Sequence, residues 1–267
     1  MGSEMCIRDS LTTARRCTAL GDGALRDLTT NKENTGVGFW AGKETTGEGN
    51  TFVGATAGSA CTTGQDNVAI GVSSGANVTS GTGNYNVNIG VDSGAYLSSG
   101  SDNVGLGKSS LRKNTTGEKN IAIGTNALTE NTTAEGNLAI GYNALDANTT
   151  GWGHLAIGNY ALSALDGENS TTAIGYYAGT NCTSSDCTFV GKGAGYETTS
   201  GTGNTAIGKD VFQTNTTGGY ACAMGFWALK KNTTGGSNIG IGAFCGQEVT
   251  TGSVSYTHLT LPTNREV

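Results

Sequence analysis

The stretch NLAIGYNALDANTTGWG, residues 137–153, sets a pattern that runs through almost the whole chain. Its glycine, Gly141, follows a short aliphatic run, and an equivalent glycine returns at steps of 17 residues, with two steps of 16 and one of 19. These marker glycines are Gly21, Gly38, Gly54, Gly71, Gly90, Gly107, Gly124, Gly141, Gly158, Gly175, Gly191, Gly208, Gly225 and Gly242. A short fixed period is typical of a solenoid, in which each repeat contacts only its neighbours.

Positions in each repeat, or coil, are numbered from its marker glycine, which is position 0. Positions −3 to −1 form the aliphatic run, positions +3 and +4 carry a second apolar pair, and a polar corner, typically Asn-Thr-Thr-Gly, begins at +7. Glycine and asparagine tolerate positive φ, and asparagine and threonine side chains hydrogen-bond nearby backbone. These residue types therefore suit tight corners.

The length of the coil decides the fold class. Helical repeats need about 33 residues or more, and leucine-rich repeats need about 20 to 29. The sequence therefore predicts an all-β fold, a parallel β-solenoid (β-roll) of about fourteen 17-residue coils. Each strand is expected to pair with its equivalent one coil on, about 4.8 Å away.

The core of such a coil is expected to be thin. Strand alternation puts the residue at −1 on one face and the small residue at −2, usually alanine, on the other. We expect the large −1 side chain to be buried, so that Ile140→Asp would bury a charge and break the stack. The flat alanine face would then allow close approach of another chain, so the chains are expected to associate around a common axis.

A column of asparagines at −4 is the second regular feature. Identical amides stacked in register can hydrogen-bond along the axis, as in cross-β ladders. His154, Thr171, Cys187 and Ala221 interrupt the column, and we interpret His154 as a ladder substitute rather than a catalyst. The predicted ladder consists of Asn34, Asn50, Asn67, Asn86, Asn103, Asn120, Asn137, Asn204 and Asn238.

Both ends of the chain depart from the repeat. Residues 1–10 and 254–267 resemble translated sequencing-adapter DNA, and we expect neither segment to belong to the natural protein. The repeat array is assigned to residues 11–253 and is expected to be a fragment of a longer protein.

Composition narrows the function classes. Glycine is abundant (45 of 267 residues), but it has no three-residue period and the chain has a single proline, which excludes collagen. No apolar run approaches the roughly 20 residues that span a bilayer, so no membrane insertion by this segment is expected. A net charge of −6 without a basic stripe argues against a nucleic-acid partner.

Catalytic and metal-binding patterns are missing from the sequence. No paired carboxylates recur for general acid–base work, and neither paired CxxC spacing nor the G-G-x-G-x-D calcium pattern occurs. We therefore predict no enzyme activity, cofactor or metal. Cys182 and Cys187 bracket the corner NCTSSDC and could form a local disulfide or remain two free thiols. Aromatic residues near the marker glycines could stack on sugars or protein receptors, or could pack at an interface.

The repeated Asn-x-x-Ala-Ile-Gly motif resembles the head repeats of trimeric autotransporter adhesins (YadA-like heads) over residues 19–246. The Asn-Thr-Thr-Gly-x-x-Asn-x-Ala-Ile-Gly-x-x-Ala-Leu variant is similar to repeats of phage tail-fibre-like proteins. The resemblance implies a left-handed parallel β-roll and a homotrimer that mediates attachment to a host surface protein or glycan receptor. YadA-like coils are shorter, so an extended corner is expected here.

Two settings remain open from this resemblance. One is extracellular, on a bacterial cell surface and anchored in the outer membrane. The alternative is the shaft or receptor-binding segment of a virion tail fibre. A further alternative, an ice-binding solenoid, comes from the threonine pairs that recur at the corners, such as Thr132-Thr133.

Overall fold

A computed structural model describes residues 15–76, 81–253 and 256–258. In this part of the chain the fold is all-β, without a helix, and its parallel strands stack one per coil. The prediction of a β-solenoid is confirmed. Residues 1–10 lie outside the described residues, as does 254–267 apart from a three-residue strand.

The chain divides into two compact units, residues 1–152 and 153–267. All the strands are three residues long and occupy positions −3 to −1 of their coils in the repeat array. The first unit contains β1 (Thr18–Leu20), β2 (Thr35–Val37), β3 (Thr51–Val53), β4 (Val68–Ile70), β5 (Val87–Ile89), β6 (Val104–Leu106), β7 (Ile121–Ile123) and β8 (Leu138–Ile140).

The second unit repeats the same arrangement. Its strands are β9 (Leu155–Ile157), β10 (Thr172–Ile174), β11 (Thr188–Val190), β12 (Thr205–Ile207), β13 (Cys222–Met224), β14 (Ile239–Ile241) and β15 (Tyr256–His258). The last of these lies in the segment that resembles adapter sequence, and its backbone pairs with β14, Ile239 opposite Tyr256.

Register is the same in both units: equivalent coil positions face each other, as in Ala122 opposite Ala139. The irregular coils keep this register. Thr35 pairs with Thr51, and Val68 pairs with Val87, although these partners are 16 and 19 residues apart. The corners therefore absorb the variation in coil length. The longest coil includes residues 77–80, which lie outside the described part of the chain.

The marker glycines form a line of close backbone contact. Gly124 has a φ of +130°, and a Cβ built there would lie 2.5 Å from the carbonyl oxygen of Gly141. No side chain fits in that space, and L-residues rarely adopt this φ. The glycine column thus follows from the stacking distance as well as from backbone conformation.

The segment after each marker glycine also pairs between coils. Asn143 and Leu145, at +2 and +4, have left-handed φ values of 51° and 52°. This backbone points amides along the stack: Asn143 N donates to Thr125 O at 3.1 Å, and Leu128 N donates to Ala144 O at 3.0 Å. Inter-coil hydrogen bonds therefore extend well beyond the strands.

The structure corrects the assignment of the two strand faces. Ala139, at −2, is fully buried together with Ala144 and Leu145, whereas Ile140, at −1, is only half-buried. The alanine face is thus the interior of the coil, and the large aliphatic residues point outward. The expectation that Ile140→Asp would bury a charge in the core was wrong for this reason.

The narrow interior explains the reversal. A Cβ added at Gly240, also at −2, would lie 2.7 Å from Leu229 Cγ, so a coil with leucine at +4 has room only for a small residue at −2. The large Phe52 occupies the −2 position of its coil, and the +4 residues on either side of it are glycines, Gly42 and Gly58. The volume of the core is conserved by exchanging large and small residues between these two columns.

Candidate functional site

The −4 asparagines of the first unit form a continuous hydrogen-bonded ladder. Asn103 illustrates the repeating geometry: its Nδ2 donates to Asn86 Oδ1 at 3.1 Å, and its Oδ1 accepts from the backbone N and the Nδ2 of Asn120 at 3.0 and 3.2 Å. Its Nδ2 also donates to Gly117 O, a corner carbonyl, at 2.9 Å. These side chains are fully buried, so each amide replaces the water that the backbone groups would otherwise bind.

A second interior column, at +7, was missed by sequence reasoning, which placed these asparagines only in polar corners. Asn114 and Asn131 are fully buried, and Asn131 Nδ2 donates to Asn114 Oδ1 at 3.1 Å. The same position holds Leu28 and Leu165, which are also buried. That exchange of asparagine for leucine was the sequence signal that position +7 faces inward.

His154 occupies the −4 position of the second unit and reproduces the asparagine bonds. Its Nδ1 accepts from the backbone N of Thr171 at 3.2 Å, and its Nε2 lies 2.7 Å from the carbonyl oxygen of Glu168. These partners assign the neutral tautomer with the proton on Nε2. Burial of the ring lowers the pKa of His154 below its ordinary value. The geometry agrees with the interpretation of His154 as a ladder substitute.

Cys182 and Cys187 are free thiols on either side of one corner. The Ser184 hydroxyl lies 3.5 Å from Cys182 Sγ and 3.7 Å from Cys187 Sγ, and all three side chains are buried. The thiols occupy positions that belong to the two asparagine columns in other coils. A hydrogen bond between them raises the pKa of Cys182 and lowers that of Cys187.

The outward side of the strands consists of an apolar row at −1 and a mixed row at −3, which includes threonines such as Thr35 and Thr172. We call the residues at −3 and −1 of each coil the outer strand face. In the first unit it includes Ile70, Ile89 and Ile121, each 37 % exposed, and in the second it includes Met224 and Ile241. Contiguous exposed apolar surface of this kind marks interaction sites in soluble proteins.

Aromatic residues at +1 and +2 form stacks on the surface, and lysines accompany them. In the first unit Phe39 stacks on Trp40 with ring centroids 4.6 Å apart, and Lys43 Nζ lies 4.4 Å from the centroid of the Trp40 ring. In the second unit Phe226 stacks on Trp227 at 4.8 Å, with Lys230 Nζ 3.7 Å from the Trp227 centroid. These residues face outward, as a binding surface requires.

The two threonines of each regular corner, at +8 and +9, differ in hydrogen bonding and exposure. The hydroxyl at +8 donates to the +8 carbonyl of the next coil, as from Thr115 to Thr132 O at 2.9 Å and from Thr132 to Thr149 O at 3.1 Å. The threonine at +9, such as Thr133, is exposed. Each regular corner therefore presents one exposed threonine, at +9.

Asp146, at +5 in the first unit, is a partly buried carboxylate. Burial, followed by the nearby charge of Glu130, raises the pKa of Asp146 to about 6. In the described residues no group of three or more His, Cys, Asp or Glu side chains is arranged to hold a metal ion. The same part of the chain contains no helix that is long and apolar enough to cross a membrane.

Comparisons with protein families, with curated proteins and with solved structures each gave no match.

Proposed function

We propose that this chain is a structural and adhesive segment of a homotrimeric surface fibre, extracellular and held on a bacterial cell, without enzyme activity. The observation that carries the proposal is the −1 row of the outer strand face, which is aliphatic or methionine in every coil and lies half-buried or exposed. Sheets that are solvated on one face alternate apolar residues inward with polar residues outward, whereas this row has no polar residue in the repeat array.

Association of identical chains follows from the repetition of this face. Because every copy presents the same apolar rows at the same spacing, chains in register can pack these rows against one another around a rotation axis, which gives a closed symmetric assembly. Burial of apolar surface is worth about 25 cal/mol per Å², so small gains per coil accumulate along the stack. The number three comes from the resemblance to adhesin head repeats.

The oligomeric state of the full chain tests the proposal. Size-exclusion chromatography with light scattering should give three times the 26.9-kDa chain mass, unchanged on dilution. The double variant Ile123→Asp/Ile140→Asp places two charges on the outer strand face and should yield a folded monomer, because the side chains are not in the core. Glu135→Arg, which changes an exposed corner residue, should remain trimeric. A wild-type chain that is a stable monomer would overturn the proposal.

A further inference from the structure

The aromatic column of the second unit contains one opening. Its +2 positions are Tyr160, Tyr177, Gly193, Asp210, Trp227 and Phe244, so the smallest residue lies between Tyr177 and Asp210. A Cβ at Gly193 would lie 2.5 Å from Asp210 Oδ1. Gly193 and the Asp210 side chain against it form the floor of a groove of about 450 Å³, which lies within the range of about 300–1,000 Å³ typical of small-molecule sites.

Tyrosine rings form one wall of this groove. Tyr177 lies at the centre of the group: its ring stacks on Tyr160 at 5.1 Å, meets Tyr176 at 4.1 Å and meets Tyr196 edge-on at 5.9 Å. These contacts fix the orientation of the rings before any ligand arrives. Tyr176 remains 44 % exposed and offers a rigid aromatic surface.

The opposite wall is polar and positively charged. Lys192 and Lys209 occupy adjacent +1 positions, and Asp210 and Gln213 complete the lining. Lys209 Nζ is 3.9 Å from Asp210 Oδ2, which also accepts from Trp227 Nε1 at 3.2 Å. Lys192 is exposed and forms no salt bridge within the described residues; its Nζ lies 5.9 Å from the centroid of the Tyr176 ring.

The distribution of charge favours an anionic ligand. Residues 153–253 contain six acidic residues, no arginine and four lysines. Two of the lysines, Lys192 and Lys209, are at +1 of their coils, and the other two, Lys230 and Lys231, are at +5 and +6. Lys231 is paired with Glu248 at 2.7 Å. The groove is lined by two of these lysines, Lys192 and Lys209, and by one carboxylate, Asp210, so its lining is net positive within a chain whose net charge is −6. The ammonium of Lys192, over the Tyr176 ring at 5.9 Å from its centroid, can attract an anion, and the ring itself remains 44 % exposed for apolar contact.

We propose that the groove lined by Tyr176, Lys192, Gly193 and Lys209 binds an acidic sugar unit of a surface glycan. A pyranose ring packs its C–H face on Tyr176, its acidic group lies between the two ammonium groups, and its hydroxyls hydrogen-bond Asp210 and Gln213. This inference deepens the proposed adhesive function and rests on it. In the first unit the +2 glycine, Gly23, lies against Trp40, whose ring atoms would meet a Cβ there at 2.4 Å, and the +2 residues from Thr56 to Asn143 are small and polar.

Isothermal titration of the full chain with three probes tests the inference: sialyllactose, 6-sulfated lactose and neutral lactose. Sialyllactose should bind, and its affinity should fall as salt rises because the ammonium groups are exposed. Binding of the sulfated probe instead would support an acidic sugar with a different anionic group. Equal binding of lactose, or no binding of any probe by a trimeric chain, would overturn the inference and leave the fibre intact.

Variants locate the site. Lys192→Gln and Tyr176→Ala should each weaken binding about tenfold. Gly193→Asn should abolish binding by displacing Asp210 Oδ1 from the floor, and it should fold, because Asn126 and Asn143 adopt positive φ at the same coil position and the atom that must move is the end of a side chain. Tyr220→Ala and Lys32→Gln change exposed residues outside the groove and should bind normally. Unchanged affinity in Lys192→Gln and Gly193→Asn would overturn the assignment, whereas a monomeric wild-type chain would instead refute the fibre.

Discussion

The −4 columns of the two units differ, and the difference shows what the position requires. In the first unit asparagine continues without interruption from Asn34 to Asn137, whereas the second unit contains His154, Thr171, Cys187 and Ala221 among its asparagines. His154 supplies both an acceptor for the next coil and a donor for the corner. Thr171 Oγ1 donates to Ser184 O at 3.1 Å, and Cys187 Sγ donates to Gly201 O at 3.3 Å. His154, Thr171 and Cys187 therefore retain hydrogen bonds of the kind that asparagine makes, whereas Ala221 supplies none from its side chain.

Breaking the uninterrupted column should have the largest effect. Asn103→Ala removes the acceptor of the Asn120 amide and the donor to Gly117 O, and leaves buried polar groups without partners. We expect the free energy of unfolding to fall by about 3 kcal/mol, measured by urea unfolding followed by circular dichroism. Glu135→Ala, at an exposed corner, should change stability by less than about 0.5 kcal/mol. A loss below about 1 kcal/mol for Asn103→Ala would mean that the ladder is dispensable.

The histidine substitution should be sensitive to acid. Since burial lowers the pKa of His154, its contribution to stability is present above its ordinary value of 6.5 and is lost as the pH falls through the lower folded value. Thermal unfolding between pH 8 and pH 4 should show this loss in wild type. His154→Asn keeps both hydrogen bonds and should abolish the His154-dependent acid loss. His154→Leu should lose about 2 kcal/mol at pH 8. An identical acid profile in wild type and His154→Asn would contradict the lowered pKa of His154.

The first unit should show the opposite pH dependence through Asp146. Its pKa is raised to about 6, so the stability associated with its protonated form is full below its ordinary value of 3.8 and is lost as the pH rises through 6. Asp146→Asn should therefore stabilise the chain at pH 8 by about 1 kcal/mol, after allowance for solvent screening, and should have no effect near pH 3. Hydrogen exchange of residues 138–148 would localise the gain. Asp102→Asn, which neutralises an exposed carboxylate, serves as the control.

Repairing the interrupted column should give the smallest effect. Ala221 offers no side-chain hydrogen bond, although its backbone N already donates to Asn204 Oδ1 at 3.0 Å. Ala221→Asn should extend the ladder and raise the free energy of unfolding by about 1 kcal/mol. The same substitution at an interior position outside the column, Ala223→Asn, should destabilise, because that site has room only for a small apolar side chain. Equal effects at both positions would refute the specific role of the column.

The fold could be predicted from the sequence because period and strand position are both marked by glycine. The strand faces could not be predicted from a three-residue run, since Ala139 and Ile140 are both apolar and alternation alone does not say which faces inward. The exchange between Phe52 and Gly58 contained that information, because it ties positions −2 and +4 to one interior volume. The corner asparagines were misjudged because polar residues usually indicate exposure, whereas these amides bond buried carbonyls.

The lysine–tyrosine groove was harder to predict for a different reason. Its members lie in four successive coils, from Tyr160 to Gln213, and no local motif joins them. Only the stacking of coils brings Gly193 between Tyr177 and Asp210. In an alignment of the coils, the +2 column shows that Gly193 lies between Tyr177 and Asp210.

The left-handed residues of each coil have a kinetic consequence. Lys119, Asn126 and Leu128 adopt φ values between 51° and 58°, and comparable residues recur in other coils. Each costs roughly 1 kcal/mol, and the compensating backbone bonds come only from an adjacent coil. A single coil has no neighbour to supply these hydrogen bonds, so the first pair of coils forms at a high free-energy cost. Later coils then add to an edge that is already ordered. Folding within each unit is therefore expected to be limited by nucleation, so its rate depends on how often the first pair of coils forms.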